Sequence, residues 1–167
     1  MSRPKIAVGM TPLMVAVKGN YPKMVRFLLE RGANVRALDR WNCTAMKYAL
    51  HYHNREEIVE MLLEFGFDPN ENCSLRMVSP LGTVCSNNMY EYIPILLKAG
   101  ANINPHEKRS PLHTAVWNNS VESVRLLIEA GADVNMQSFC GTPLDEAIKN
   151  NSLEAERILI NAGALRS

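Results

Sequence analysis

The sequence predicts an all-α repeat solenoid, and recurring landmarks along the chain predict it. Thr11-Pro12-Leu13 returns as Thr44-Ala45-Met46, Ser79-Pro80-Leu81, Ser110-Pro111-Leu112 and Thr142-Pro143-Leu144, at steps of 33, 35, 31 and 32 residues. Gly32-Ala33-Asn34 returns as Gly66-Phe67-Asp68, Gly100-Ala101-Asn102, Gly131-Ala132-Asp133 and Gly163-Ala164, at steps of 34, 34, 31 and 32. Two landmarks sharing one period mark a chain of supersecondary units, each burying its apolar side only against its neighbours. A third landmark is an asparagine seven residues after the leucine: Asn20, Asn88, Asn119 and Asn151. In the second unit Asn54 stands eight residues after Met46, which implies one inserted residue.

Each element of a unit has a local cause. The Thr or Ser before proline caps a first helix, and proline sits in that helix's first turn, where its missing N–H is not needed. Asparagine tolerates the left-handed backbone better than other non-glycine residues, so it stops the first helix and reverses the chain. The second helices carry a wide apolar stripe: Met24, Val25, Phe27, Leu28 and Leu29, then Ile58, Val59, Met61, Leu62 and Leu63, then Val124, Leu126, Leu127 and Ile128. Each of them ends at a glycine, followed by a short polar loop.

Composition narrows the function. The 167 residues are 47% hydrophobic and 21% charged, an ordinary globular balance, and 18 basic against 17 acidic residues leave a net charge of +1. That argues against a strongly basic nucleic-acid binder. No apolar run approaches the roughly 20 residues that cross a bilayer, and no signal-peptide pattern follows Met1. Four cysteines in a chain of this length do not make a disulfide scaffold. A reducing compartment, cytoplasm or nucleus, is expected.

These residues resemble the ankyrin repeat, a unit of about 33 residues with a Thr-Pro-Leu-His-x-Ala signature, two antiparallel helices and a β-turn finger. The closest fit is Ser110-Pro111-Leu112-His113-Thr114-Ala115 with Val124 to Asn135 behind it. The resemblance divides the chain into an N-terminal segment, 1–8, and a repeat domain, 9–167, with five units at about 9–40, 41–74, 75–105, 106–138 and 139–167. Only the fourth unit keeps the signature histidine; Met14, Lys47, Gly82 and Asp145 take its place elsewhere. In the family this histidine ties a unit to its neighbour. The third unit departs most: Pro94 should kink or shorten its second helix, and Gly82 weakens its first by about 1 kcal/mol relative to alanine. No unit precedes the first one to cap it, and an excerpt from a longer chain is favoured over a complete small protein. Asn104 and Asn135 look like the asparagine that asparaginyl hydroxylases modify in many ankyrin proteins, though the stronger reading makes them buttresses of the fingers.

Candidate chemistry is sparse. Cys43, Cys73, Cys85 and Cys140 form no Cys-x-x-Cys pair, and Cys85 falls at an alanine position of a first helix, in the core. His51 and His53 are the only close histidine pair and lack the ligands zinc needs. No nucleophile stands beside an oriented base, and no phosphate loop is present. No enzyme, metal or cofactor is expected. The loops hold Arg36, Arg40, Arg76, Lys108 and Arg109 against Asp39, Asp68, Glu71, Glu107 and Asp133, a mixed edge rather than a nucleic-acid groove, although Lys108-Arg109 is a basic pair that could meet an acidic side chain.

The resemblance implies protein recognition on a concave surface made by the fingers and the exposed side of the first helices. By register that surface takes Arg40 and Trp41, His51, Tyr52 and His53, Leu75 and Arg76, Arg109, Trp117 and Asn118, Phe139, and Lys149. Aromatic and arginine side chains are the usual interface anchors; the bland alternative is that a finger tryptophan merely seals its own stack. The expected function is a noncatalytic interaction module, monomeric as a domain, serving as adaptor or scaffold and binding a peptide or folded protein, with no nucleic acid and no direct membrane contact. A ubiquitin-ligase adaptor, a kinase or transcription-factor inhibitor, and a structural spacer between domains are the alternatives.

Overall fold

Threonine or serine caps four of the inner helices as the sequence requires. In the computed structural model, which describes residues 9–72, 78–105 and 109–166, the side chains of Thr11, Thr44, Ser110 and Thr142 each accept the backbone N–H three residues on. The helices they open are α1 (Pro12–Lys18), α3 (Ala45–Ala49), α7 (Pro111–Trp117) and α9 (Pro143–Lys149). A further inner helix is α5 (Pro80–Ser86), and the outer helices are α2 (Pro22–Glu30), α4 (Glu56–Glu64), α6 (Ile93–Lys98), α8 (Val121–Glu129) and α10 (Leu153–Asn161). Among the described residues there is no strand, only an isolated bridge between Ser138 and Gly141. The fold class is therefore the all-α helix-pair repeat read from the sequence.

The turn between helices is set by backbone sterics. Asn20, Asn54, Asn88, Asn119 and Asn151 all have φ between 51° and 59°, where an ordinary side chain meets its own carbonyl. Across the turns at Asn20, Asn88, Asn119 and Asn151 the residue after the asparagine donates to a carbonyl of the inner helix, as in Tyr21 N to Ala16 O (3.0 Å) and Ser120 N to Ala115 O (2.9 Å). The residue inserted before Asn54 leaves α3 at five residues, where α1, α7 and α9 have seven.

Two units divide the chain, Met1–Pro80 and Leu81–Ser167. Within the first, α1 packs on α2 and α3, and α4 covers α2 and α3. Its core is Leu13, Met14, Val17, Val25, Met46, Ile58 and Leu62. Arg55 opens the second outer helix by donating to the carbonyls of Val17 and Lys18 (3.1 Å to the latter) at the C-terminus of α1, where the helix dipole favours a cation. The matching position of the first repeat is exposed Tyr21, beside exposed Met24 and Phe27; their counterparts in the second repeat, Ile58 and Met61, are buried. The first repeat thus shows solvent an apolar face that its successor covers.

Within the second unit α7 packs on α8 and α9, and α10 closes on α8 and α9. His113 joins neighbouring repeats: its Nε2 lies 3.1 Å from the Gly141 carbonyl, while Ser110 Oγ lies 2.8 Å from Nδ1. With Nε2–H donating to the carbonyl, Nδ1 accepts from the serine hydroxyl. Burial, and secondarily the Arg109 charge, hold the imidazole pKa below its usual value, so the ring stays neutral. The finger asparagines act as buttresses: Asn104 Oδ1 accepts from Asp133 N (2.9 Å) and Asn135 Oδ1 from Leu165 N (2.7 Å).

Pro94 shortens rather than kinks its helix. Tyr90–Tyr92 forms a 3-10 turn, and α6 starts at Ile93, which places Pro94 in the first turn where no N–H is required. Cys85 is one position past the alanine site, at the valine site of Val17 and Val116; Val84 takes the alanine site. The thiol is fully buried and burial pushes its pKa up to about 12.

The asparagine turns make a direct prediction. Asn119→Val should cost about 1–2 kcal/mol because a β-branched residue is forced into left-handed backbone, whereas Asn119→Gly should stay within about 0.5 kcal/mol. Urea unfolding of the two variants checks it.

Candidate functional site

The finger leading into α3 is shaped by one carboxylate. Asp39 Oδ1 accepts from Trp41 N (2.8 Å) and Cys43 N (2.9 Å), and its Oδ2 accepts from the Tyr48 hydroxyl (2.5 Å). Desolvation alone would raise its pKa; the hydrogen bonds and the nearby Arg40 charge outweigh that and hold it below the ordinary aspartate value. Burial and the bond to Asp39 drive the Tyr48 phenol upward. The turn is completed by Asn42, whose φ is 53°. A buried acid thus folds the finger so that Trp41 stands outward, 46% exposed, with the Arg40 guanidinium 4.0 Å from the indole centroid.

Past α3 the chain carries His51, Tyr52 and His53, all exposed. The His51 and Tyr52 rings meet edge to face, centroids 5.2 Å apart. Tyr52, 40% exposed, lies under the Arg55 guanidinium at 4.6 Å, the same arginine that caps α1. The side chain that joins two repeats therefore also carries a surface aromatic.

The second unit builds a denser cluster. Trp117, the last residue of α7, is 50% exposed, and Phe139 in the following finger is 71% exposed. Between them lies Arg109, with its guanidinium carbon 4.3 Å from the Trp117 ring and 5.3 Å from the Phe139 ring. Arg109 Nη2 is 2.8 Å from Glu146 Oε1 and 3.5 Å from the Cys140 sulfur. Glu146, on α9, is only 1% exposed. The approach of Nη2 is close but off the hydrogen-bonding direction, so charge holds the pair. Among the described residues neither Glu146 oxygen receives an aligned hydrogen bond, and Arg109 Nε and Asn150 Nδ2 are buried without one as well. Burial pushes the Glu146 carboxyl above its ordinary range, with Arg109 and then Lys149 pulling the other way.

Of the residues selected by register, the structure brings together Arg40 with Trp41, His51 with Tyr52, and Arg109 with Trp117 and Phe139. Asn118 caps α7 and donates to Thr114 O (2.8 Å), and Lys149 ends α9, exposed. Leu75 and Arg76 lie outside the described residues. Glu146 and Arg55 escaped sequence reading. Glu146 sits where Val15 and Thr114 stand in other repeats, and a charged residue on an inner-helix face that neighbours cover was the available signal. Among the described residues no three His, Cys, Asp or Glu side chains converge as metal ligands.

The buried pair predicts a distinctive mutational pattern. Arg109→Ala leaves the Glu146 charge unpaired and should cost about 3 kcal/mol, while adding Glu146→Gln should recover most of that loss. The Glu146 pKa is raised in the fold, so its contribution to stability is complete below the unfolded pKa and is lost as pH rises through the folded one. Glu146→Gln should remove that decline. Urea midpoints of the four proteins across pH 4 to 8 measure both effects.

Two family descriptions match the chain: "Ankyrin repeats (3 copies)" over residues 2–73 and 71–138, and "Ankyrin repeats (many copies)" over 118–160. Relatives include glycerophosphocholine phosphodiesterase gde1 of Schizosaccharomyces pombe, 33% identical over 52% of this chain and 8% of the relative. The ankyrin repeat, SAM and basic leucine zipper domain-containing protein 1 of Mus musculus is 39% identical over 44% of this chain and 16% of the relative. The transient receptor potential cation channel subfamily A member 1 of Homo sapiens is 31% identical over 60% of this chain and 10% of the relative. The chain spans a small fraction of each of these proteins.

Proposed function

The chain belongs to the ankyrin repeat family, and from that premise we propose that it is a noncatalytic recognition module whose fingers and inner-helix ends grip another protein. The observation that carries this reading is the set of outward aromatic rings, each under a guanidinium: Arg40 on Trp41, Arg55 on Tyr52, and Arg109 against Trp117 and Phe139. A guanidinium over a ring gains from the ring's quadrupole and holds the ring in one orientation. Less rotamer entropy then remains to be lost on binding, and rings of this kind serve as anchors. A spacer between domains has no use for such rings at these positions.

Protein recognition is the family's general role. Adaptor or scaffold duty within a larger protein is the finer form we favour. We assign the chain to a reducing compartment, cytoplasm or nucleus, because four cysteines in 167 residues do not make a disulfide scaffold.

Alanine at Trp41, Tyr52 or Trp117 should weaken partner binding by more than about 1 kcal/mol each while thermal unfolding stays cooperative. Affinity capture with the wild type beside Trp41→Ala/Trp117→Ala identifies the partners, and calorimetry on those partners gives the magnitudes. Unchanged affinity in the folded variants would falsify the reading.

A further inference from the structure

The inner face of the first unit is basic. On the inner helices and the finger between them, residues 12–20 and 37–54, the basic residues are Lys18, Arg40 and Lys47, and the only acid is Asp39. Asp39 is 6% exposed and its two oxygens already accept three hydrogen bonds. Its charge is therefore turned inward and committed to the finger. Lys18 lies over the Tyr48 ring at 5.9 Å and Arg40 over Trp41 at 4.0 Å, and none of the three basic side chains has an ion-pair partner among the described residues. Of the outer helices, α4 carries Glu56, Glu57, Glu60 and Glu64 and no base, and α2 carries Lys23 and Arg26 against Glu30. A near-neutral chain thus presents a cationic inner surface on this unit. The equality of acids and bases in the finger loops, counted along the sequence, is tipped here by the burial of Asp39, while Glu71 and Arg36 pair at 3.1 Å and remove one charge of each sign.

Resting on the recognition reading above, we infer that this surface of the first unit takes an acidic polypeptide segment, its carboxylates meeting Arg40, Lys47 and Lys18 and its apolar side chains lying against Trp41 and Tyr52. Fixed cations beside exposed rings suit a chain that alternates acidic and apolar residues: the carboxylates gain charge-assisted hydrogen bonds and the rings bury apolar area. A nucleic acid is the less suited polyanion, because three basic side chains on a chain of net charge +1 make no extended basic track for a phosphate backbone.

The test uses a short fluorescein-labelled peptide of glutamate and leucine, its lysine-for-glutamate counterpart and an oligothymidine strand, each titrated with the whole chain and read by anisotropy. The acidic peptide should bind, weaken as salt rises, and bind roughly tenfold less tightly to Arg40→Glu/Lys47→Glu, as expected for charges at the edge of an interface. The matched outer-helix reversal Lys23→Glu/Lys98→Glu changes net charge equally and should leave affinity within about twofold. Thermal melts of both double variants show that the fold is kept. No binding of the acidic peptide, equal loss in the two double variants, or oligothymidine binding as tightly as the peptide overturns the inference. If it falls while partners are still captured through Trp41 and Trp117, the recognition reading stands without it; if capture fails too, both fall.

Discussion

Every helix pair in this chain depends on one backbone constraint, an asparagine held in the left-handed conformation between two helices. The chain must reverse within a single residue so that the second helix lies back along the first, and glycine or asparagine is what that geometry admits. Because the stop recurs at the same place in each unit, the residues after it fall in the same register each time. In two repeats the side chain just past the stop reaches back to the end of the preceding inner helix or the turn after it. In the second repeat that side chain is Arg55, reaching two carbonyls of α1; in the fourth it is Ser120, bonded to Asn88 of the repeat before. A steric rule at one residue thus positions the polar links between repeats.

The candidate surface follows from the disposal of charge. Asp39 and Glu146 are both acids taken out of water, and their surroundings treat them oppositely. Asp39 has three hydrogen-bond donors and is held ionised; Glu146 has a guanidinium close by but no aligned donor, and burial raises its pKa. The first folds a finger, and the second holds an arginine between two rings. Each spends a negative charge internally and leaves an aromatic side chain facing outward beside an arginine.

Much of the fold was legible in the sequence because its causes are local. Period, capping Thr or Ser, helix-stopping asparagine and terminal glycine each act over a few residues, and each appears where the sequence put it. The proline in the third repeat was legible as a disturbance, but whether Pro94 would bend α6 or begin it depended on the preceding 3-10 turn. The site was legible by position and not by chemistry. Register chose Trp41, Tyr52, Trp117 and Phe139 as surface residues, yet nothing adjacent in sequence says that Arg109 would lie against Trp117 and Phe139 or that Glu146 would be beneath it. The first contact joins residues 8 apart within one repeat; the other two join residues 30 and 37 apart and exist only once neighbouring repeats pack. A count of loop charges likewise does not know which side chains turn inward, as Asp39 does.

The thiol inside α5 gives the molecule a built-in clock. Cys85 is sealed among apolar side chains and resists ionisation, whereas Cys43 and Cys140 are partly open to solvent. A small alkylating reagent would consume the Cys43 and Cys140 sulfurs promptly and then wait on Cys85. The length of that wait measures how often the middle of the chain breathes, without any label added.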